Sequence, residues 1–323
     1  MNLEATPTPH YSWLPRKRLR LPKLHKNSYF PPILYDKVAE TLALFFTFPQ
    51  IPLLSHLVGH SPQPILIANT LFEYTLVPQT TSFGKRPQFL DLCTGAESAS
   101  VVAEVTNQLE ARFSKKVLVT LSQVDPADIQ DFEENQVEAV RVSARGVDPG
   151  EVPRDMKGAI RLLIGKLHEM EDRAIFRILR DCVEKRSAIV VIEFHDRTVV
   201  SVWFWAFVVP FLAVPFTILF GKKRLGIWSL ILLSLALPWL VWDGIVSCLG
   251  AVNIEELKDL LDDIPEAHMH ITWTWKRVGL ISLSDGPLGW FFFTRWMAKW
   301  LDSLLAVTML IGVPKLKQKQ GWL

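Results

Sequence analysis

The hydrophobic pattern of the chain is clearest between residues 87 and 194, where short apolar runs alternate with amphipathic stretches of helical length. The apolar runs lie at 88–93, 116–121, 137–143, 158–164 and 187–194. The intervening stretches predict helices at 97–113, near 126–135 and at 168–184. Strands that alternate with helices indicate βαβ units and a parallel sheet. Because the runs are apolar throughout, we expect strands that are covered on both faces.

A different pattern begins at residue 199. Residues 199–220 and 225–242 carry no charged side chain, and a basic link at 221–224 joins them. Each run approaches the ~20 apolar residues that span a bilayer. Two full spans would place the basic link across the membrane from the rest of the protein, against the positive-inside tendency. Prolines weaken continuous helices, and these runs hold Pro210, Pro215 and Pro238.

We therefore expect the segment 199–250 to be a hydrophobic hairpin that inserts into one leaflet of a membrane. Two full spans and a hairpin buried within the protein remain alternatives. After the hairpin, Asn253 and Glu256 predict a capped helix start. Two strands are predicted at 268–275 and 306–313. Between them, a Trp-rich helix at 287–303 is either an interfacial anchor or part of the core.

The chain thus divides into a basic, Pro-rich tail at 1–33, an α/β domain, the inserted hairpin and a short tail at 316–323. The α/β domain comprises residues 34–198 and 251–315, and begins with an amphipathic helix within 35–58. The basic tail is either solvated or attracted to anionic lipid headgroups.

Composition agrees with a membrane-associated α/β protein. The chain is 49% hydrophobic and 21% charged, with a mean hydropathy of +0.21. Its net charge of +2, without a long basic helix or zinc-finger spacing, gives no basis for nucleic-acid binding. Three widely separated cysteines argue against a disulfide framework and favour a cytosol-facing location. We expect no secretory signal at the N-terminus.

The segment 87–97 predicts a cofactor pocket. It combines a buried strand, a tight turn at Gly95 and a helix start at Glu97. Such a unit presents the N–H groups of a helix N-terminus to a nucleotide-type ligand. The pattern resembles motif I of class I S-adenosylmethionine-dependent methyltransferases, in which three glycines at alternate positions follow an acidic residue. Cys93, Gly95 and Glu97 occupy those three positions, so only the middle glycine is retained.

The resemblance extends over most of the chain from about residue 27 to a membrane-associated branch of that superfamily. The string at 242–249, Trp-Asp-Gly-Ile-Val-Ser-Cys-Leu, matches that branch, and Glu193 to Arg197 echo the end of its fifth strand. The resemblance implies a methyltransferase-like, doubly wound α/β sheet with an inserted membrane-associated helical hairpin.

The same resemblance implies a cofactor site at Asp91, Gly95, Glu97, Gln123 and Asp148. Glu97 places a charged side chain where a glycine normally lets the backbone approach the ligand. Gln123 stands where an acidic residue normally binds the ribose hydroxyls. These departures indicate a retained pocket in which use of S-adenosylmethionine is weakened or lost, so the cofactor is either S-adenosylmethionine or none.

The candidate catalytic residues are His168, Glu193, His195 and Asp243. The first three follow the fourth and fifth strands, and open α/β sheets bind ligands at the carboxyl ends of strands. Asp243 is a carboxylate beside apolar surface, which is either functional or the end of a helix that meets water. We expect no metal site, because His268 and His270 share a strand face without further ligands. The chain has no G-x-S-x-G, P-loop or H-E-x-x-H motif.

These observations predict an enzyme on the cytosolic face of an internal membrane such as the endoplasmic reticulum, with membrane lipid and a lipophilic small molecule as partners. Some methyltransferase-like proteins of natural-product pathways catalyse pericyclisation. The leading hypothesis is therefore a cyclisation, Diels–Alder-type or isomerisation step on a polyketide or terpenoid, without net methyl transfer. One alternative is methyl transfer to a lipophilic molecule, with His168 or Glu193 as base. Another is a non-catalytic membrane scaffold.

Overall fold

The computed structural model describes residues 18–24, 31, 33–34, 63–76, 87–92, 96–114, 117–122, 140–142, 147–156, 158–211, 215, 227–279 and 306–315. Several predicted features lie outside these residues: the helix within 35–58, the helix near 126–135, the Trp-rich helix at 287–303, the basic link and the C-terminal tail.

The described part of the chain contains one sheet of seven strands: β1 (Gln88–Asp91), β2 (Leu118–Leu121), β3 (Val140–Val142), β4 (Ile160–Ile164), β5 (Ile189–Glu193), β6 (Ile271–Gly279) and β7 (Ala306–Pro314). Their order is β3-β2-β1-β4-β5-β7-β6. The first five strands are parallel, and β7 is antiparallel to both of its neighbours. This methyltransferase-like arrangement, with its antiparallel closing pair, confirms the predicted α/β fold class.

The central strands form because their sequences are apolar without interruption. Every residue of β4 and β5 is buried, as expected for strands covered on both faces. The strand order reverses between β1 and β4, which are hydrogen-bonded neighbours, because the chain crosses from β3 to β4 on the other side of β1. In doubly wound sheets this switch point opens a crevice at the carboxyl ends of the strands.

Seven α-helical segments are described: α1 (Gln63–Leu71), α2 (Ala96–Phe113), α3 (Asp172–Lys185), α4 (Val199–Trp203), α5 (Ile227–Gly250), α6 (Ile254–Asp262) and the single turn α7 (Ala267–His270). The helix start predicted after β1 is confirmed by α2. The predicted cap of α6 is also present, because the backbone N–H of Asn253 donates to Glu256 at 3.0 Å.

Two element predictions need correction. The helix expected at 168–184 is divided into a 3₁₀ turn, Leu167–Glu169, and α3. The strand expected from 268 begins only at Ile271, because the preceding four residues form α7. His268 and His270 therefore do not share a strand face, and they contact Asp262 and Glu266 instead.

The inserted hairpin is described in part. Its first arm is α4 with a π-helical continuation, Phe204–Val208, and its second arm is α5. Pro238 lies inside α5 without ending it. The stretch Ile231–Gly250 is long and apolar enough to cross a membrane, and 44% of its most apolar window is buried inside the protein. Membrane association of the hairpin therefore stays a prediction.

A buried ion pair joins β4 to α3. The Arg161 side chain is fully buried and donates from Nη1 to Oδ2 of Asp181 at 2.7 Å. Lys185 and the backbone N–H of Val152 also donate to Asp181. Burial raises the pKa of the adjacent Cys182 thiol to about 12, so this thiol is uncharged.

We expect Asp181→Ala to destabilise the fold by about 3–5 kcal/mol, because it leaves the Arg161 guanidinium buried without its carboxylate. Glu184→Ala on the same helix is the matched control: Glu184 forms an exposed pair with Arg180, and its loss should change stability by less than about 1 kcal/mol. Urea unfolding of the protein in detergent measures both. If both variants destabilise the protein equally and by less than about 1 kcal/mol, the buried pair contributes no more to stability than the exposed pair.

Candidate functional site

The ends of β4 and β5 bring three predicted side chains together. Ile164 pairs with Ile192 across the parallel strands, so the residues that follow them meet at one edge of the sheet. Gly165 makes the turn after β4 with a φ of +60°, a conformation that favours glycine. As a result His168 reaches Glu193, the last residue of β5, and His195. All three side chains are buried.

The Glu193 carboxylate is the centre of this cluster. It accepts hydrogen bonds from Nδ1 of His168 at 3.2 Å and from Nδ1 of His195 at 3.3 Å. The backbone N–H groups of His168, Phe194 and His195 also donate to it. Burial alone raises the pKa of Glu193, but the positive charge that His168 acquires at low pH and the hydrogen bonds from His168 and His195 outweigh this effect. The pKa is held well below its usual range, and the carboxylate is charged.

The second nitrogen of His168 contacts a lysine from the N-terminal segment. Nζ of Lys23 lies 2.9 Å from Nε2 of His168 and 2.7 Å from Oε1 of Glu169. Because an ammonium group only donates, Nε2 is the acceptor and Nδ1 carries the proton. Burial lowers the pKa of His168 to about 4, with further lowering by Lys23 and His195 and an opposing effect of Glu193. At neutral pH His168 is therefore an uncharged imidazole.

The hairpin forms one wall of the site. The ring of Trp205 stacks on His195, with centroids 5.4 Å apart, and His195 lies 4.8 Å from the ring of His168. A Cβ atom at Gly244 would fall within 2.1 Å of the Trp205 ring, so only glycine lets α5 approach this closely. A side chain of the hairpin is therefore part of the site.

Asp243 binds the N-terminal segment. It lies inside α5, is buried, and accepts the backbone N–H of Leu24 at 2.8 Å. The alternative of a helix-ending aspartate in water is therefore wrong. Trp242 donates to the carbonyl of Pro22, and the carbonyl of Leu249 accepts from Leu19. The segment 242–249 therefore provides three of the hydrogen bonds that hold residues 18–24 in place.

A small cavity opens beside His168. It has a volume of about 270 Å³, and it is lined by Leu19, Arg20, Leu21, Lys23, His168, Glu169, Val246 and Gly250. The cavity therefore presents apolar walls, a neutral imidazole, two positively charged groups and the carboxylate of Glu169. Residues 18–24 form part of its lining, although the sequence predicted a solvated or lipid-binding tail there.

The predicted cofactor residues are placed only in part. Asp91 is buried at the end of β1, and its carbonyl accepts the N–H of Ser122. Asp148 is exposed, and its carboxylate contacts Arg177 and the N–H of Gly150. Glu97 lies in the first turn of α2, whereas Gly95 and Gln123 lie outside the described residues. The cofactor site stays a prediction.

His168, Glu193 and His195 also have the composition of a metal site, which the sequence did not predict. One ligand atom from each lies within 4.8 Å of the others. However, Nδ1 of both histidines faces Glu193 at hydrogen-bond distance, and an ammonium group is next to Nε2 of His168. A bound cation would have to replace both hydrogen bonds close to the Lys23 charge. This donor set fits a proton relay better than a metal centre.

No family model matches this chain, and no curated protein matches it. Solved structures similar to it include the pyocyanin biosynthetic protein PhzM (16% identity, TM-score 0.35), the plantazolicin methyltransferase BpumL in complex with SAH (12%, 0.39) and LepI in complex with SAM (13%, 0.38). The matches cover 79%, 88% and 75% of this chain. They span 56% of the PhzM chain, 98% of BpumL and 47% of LepI. Similarity at this level indicates nothing about ligand or reaction.

The lowered pKa of His168 predicts a pH-dependent stability. Between pH 6.5 and 4, His168 is protonated in the unfolded chain but not in the folded protein. The free energy of unfolding is therefore highest above pH 6.5 and decreases as the pH is lowered below it. The loss should reach about 2 kcal/mol at pH 5. Unfolding experiments in detergent between pH 7 and 5 measure it, and His168→Gln should remove this dependence.

The matched control is His268→Gln, which removes an exposed histidine that also contacts a carboxylate. This variant should keep the pH dependence of the unmodified protein. An unchanged pH dependence in His168→Gln would show that His168 is not the group that titrates.

Proposed function

We propose that this protein is a membrane-associated enzyme that moves a proton on a lipophilic substrate, with His168 as the base. The observation that carries this proposal is a buried, neutral imidazole that lines a cavity and whose Nδ1–H donates to a charged carboxylate. Its Nε2 lies 2.9 Å from Nζ of Lys23, which lines the same cavity. A base oriented by a third group in this way is the usual arrangement in general base catalysis. Glu193 holds the His168 tautomer and stabilises the imidazolium that forms.

The reaction proposed is a cyclisation or isomerisation without net methyl transfer. Removal of a proton next to a carbonyl and its return to another atom isomerises the substrate, and the intermediate carbanion can instead close a ring. A pericyclic step requires less of the side chains, because the cavity only has to hold a reactive conformer and polarise a carbonyl. Cys93, Glu97 and Gln123, which replace the residues expected in a methyl-donor site, favour chemistry without that donor.

Methyl transfer is the second candidate, and one observation favours it. Helix α2 begins at Ala96, shortly after β1 ends at Asp91, as the cofactor motif requires. Under this alternative His168 would deprotonate the hydroxyl or carboxyl group that accepts the methyl group. Both candidates use the same base, so the mass of the product distinguishes them.

We expect the purified protein to convert its substrate without added S-adenosylmethionine and to give a product of unchanged mass. The substrate can be isolated as the compound that accumulates when the gene is deleted. His168→Gln should lower kcat by about 10²–10⁴-fold, because it removes the base. His268→Gln should retain full activity. Mass spectrometry and isotope-labelled S-adenosylmethionine provide the measurement.

A labelled methyl group in the product would overturn the proposed reaction and establish the second candidate. Full activity of His168→Gln would contradict the assignment of the base. A protein that supports the pathway but converts no compound in purified form would be a scaffold.

The membrane part of the proposal rests on an exposed apolar stripe along the hairpin. Trp203, Phe207 and Phe211 recur every four residues and are 44%, 54% and 79% exposed. Residues four apart lie on one face of a helix. Ile231 and Leu235 of α5 are also exposed. An uncharged surface of this kind is typical of an element covered by lipid, and the basic link at 221–224 would then meet the headgroups.

We expect the protein to pellet with membranes, to resist extraction by high salt and to require detergent. The double variant Phe207→Asp/Phe211→Asp should weaken vesicle binding at least tenfold, because burial of each phenylalanine contributes about 1.5–3 kcal/mol. Met269→Asp is the control, since Met269 is 67% exposed but lies in α7, outside the hairpin. Sedimentation with vesicles measures all three proteins. Release of the unmodified protein by salt alone would contradict hairpin insertion.

The depth of insertion is tested separately. A cysteine introduced at Lys223 should react with an impermeant reagent added to the cytosolic side. Reaction only after the membrane is opened would establish two full spans.

A further inference from the structure

The N-terminal segment 18–24 contributes a charged group to the site. We propose that Lys23 binds the oxyanion that forms when His168 removes a proton, and that the substrate is an apolar molecule with an enolisable carbonyl or an acidic hydroxyl. This inference rests on the proposed function and names the substrate class for the same site.

The segment is held by specific contacts along its length. The Arg18 side chain is buried, forms an ion pair with Asp172, and donates to the carbonyls of Leu167 and Met170. At the other end, Leu24 donates to Asp243. Arg18 therefore ties the segment to the 3₁₀ turn that carries His168, and Asp243 ties it to the hairpin. Lys23 is fixed between two anchors.

The position of Lys23 is suited to a ligand of the cavity. Its side chain is 15% exposed, so its charge is only weakly screened by solvent. Two of its three N–H groups are directed at Nε2 of His168 and Oε1 of Glu169. Among the described residues, this leaves one N–H for a ligand. Glu169 also accepts from Lys166, which helps to fix it.

The contact between Lys23 and Nε2 marks the place where a substrate oxygen would lie. Nε2 cannot accept a proton while it accepts a hydrogen bond from the ammonium group, so a bound substrate must take over that hydrogen bond. An oxygen atom of the substrate can do so. The lysine then contacts the oxygen, and the imidazole is free to approach the adjacent proton.

The proton and electron balance of the step is simple. The substrate proton moves to Nε2 of His168, and the resulting imidazolium is paired with Glu193. The bonding electrons remain on the substrate, where they reside mainly on oxygen as an enolate or phenolate that is paired with Lys23. His168 later returns the same proton to another atom, or the enolate closes a ring before it is protonated. No oxidant or second reactant is needed.

The other residues that line the cavity indicate the polarity of the substrate away from its reacting oxygen. Leu19, Leu21 and Val246 provide apolar walls, and the cavity borders the hairpin that we place in the membrane. Arg20 and Glu169 also line the cavity, but each is held in an ion pair, Arg20 with Asp172 and Glu169 with Lys23 and Lys166. A hydrophobic skeleton with one ionisable oxygen near Lys23 matches this distribution, since polar groups elsewhere on the substrate would lie against leucine and valine.

A pair of chemically modified variants tests the proposal. Lys23→Cys treated with aminoethyl methanethiosulfonate carries an ammonium group, whereas the same variant treated with propyl methanethiosulfonate carries a neutral chain of similar size. The probe is an alkyl-substituted nitrophenol, whose absorbance reports its ionised fraction when bound. We expect the aminoethyl form to favour the bound phenolate about tenfold over the propyl form. The unmodified protein treated with each reagent controls for reaction at other cysteines.

Arg180→Met is a second control, because it removes an exposed positive charge that pairs with Glu184 and does not line the cavity. This variant should ionise the probe as the unmodified protein does. Equal ionisation in the aminoethyl and propyl forms would overturn the role of Lys23, whether or not the segment stays docked. Because the probe is measured at equilibrium, this outcome is independent of turnover. A failure of the proposed function would instead appear as full activity in His168→Gln.

Discussion

The site depends on the compensation of one buried charge, the carboxylate of Glu193. Transfer of an isolated carboxylate from water into a protein interior costs several kcal/mol, so its partners must be in place when the chain folds. Here those partners are two imidazole N–H groups and three backbone N–H groups. They come from the turn after β4 and from the residues after β5. The carboxylate thereby fixes both loops and orients His168 at the same time.

The described part of the hairpin packs directly against the α/β domain at the site. Trp205 of the first arm stacks on His195, and Gly250 of the second arm lies so close to the carbonyl of His168 that a Cβ atom would fall 2.8 Å from it. If the hairpin inserts as we propose, the cavity is held at the membrane surface. A lipophilic substrate can then reach His168 from the bilayer without crossing bulk water, which is consistent with the apolar walls of the cavity.

The hydrophobic pattern of the sequence predicted those strands in which every residue is buried. The runs at 158–164 and 187–194 predicted β4 and β5 because both faces of these strands are covered. The alternation from residue 268 was misread because four residues allow a helical turn as readily as a strand start. Asp91, His168, Glu193 and His195 lie at or shortly after strand ends, but their spacing could not show which of them meet. The contact of Lys23 with His168 joins residues 145 positions apart, and no periodicity in the chain indicates it.

Two segments carry the sequence resemblance: residues 242–249, which match the family pattern, and motif I, which keeps only one of its three glycines. The string at 242–249 holds the N-terminal segment through Trp242, Asp243 and Leu249, and it brings α5 close to Trp205 through Gly244. It therefore helps to hold the surroundings of His168 and the cavity. If motif I forms the predicted methyl-donor pocket after β1, the two segments act on different parts of the site. Cys93 and Glu97 would then alter cofactor use while His168 keeps its environment, and the proton transfer that we propose would not require a methyl donor.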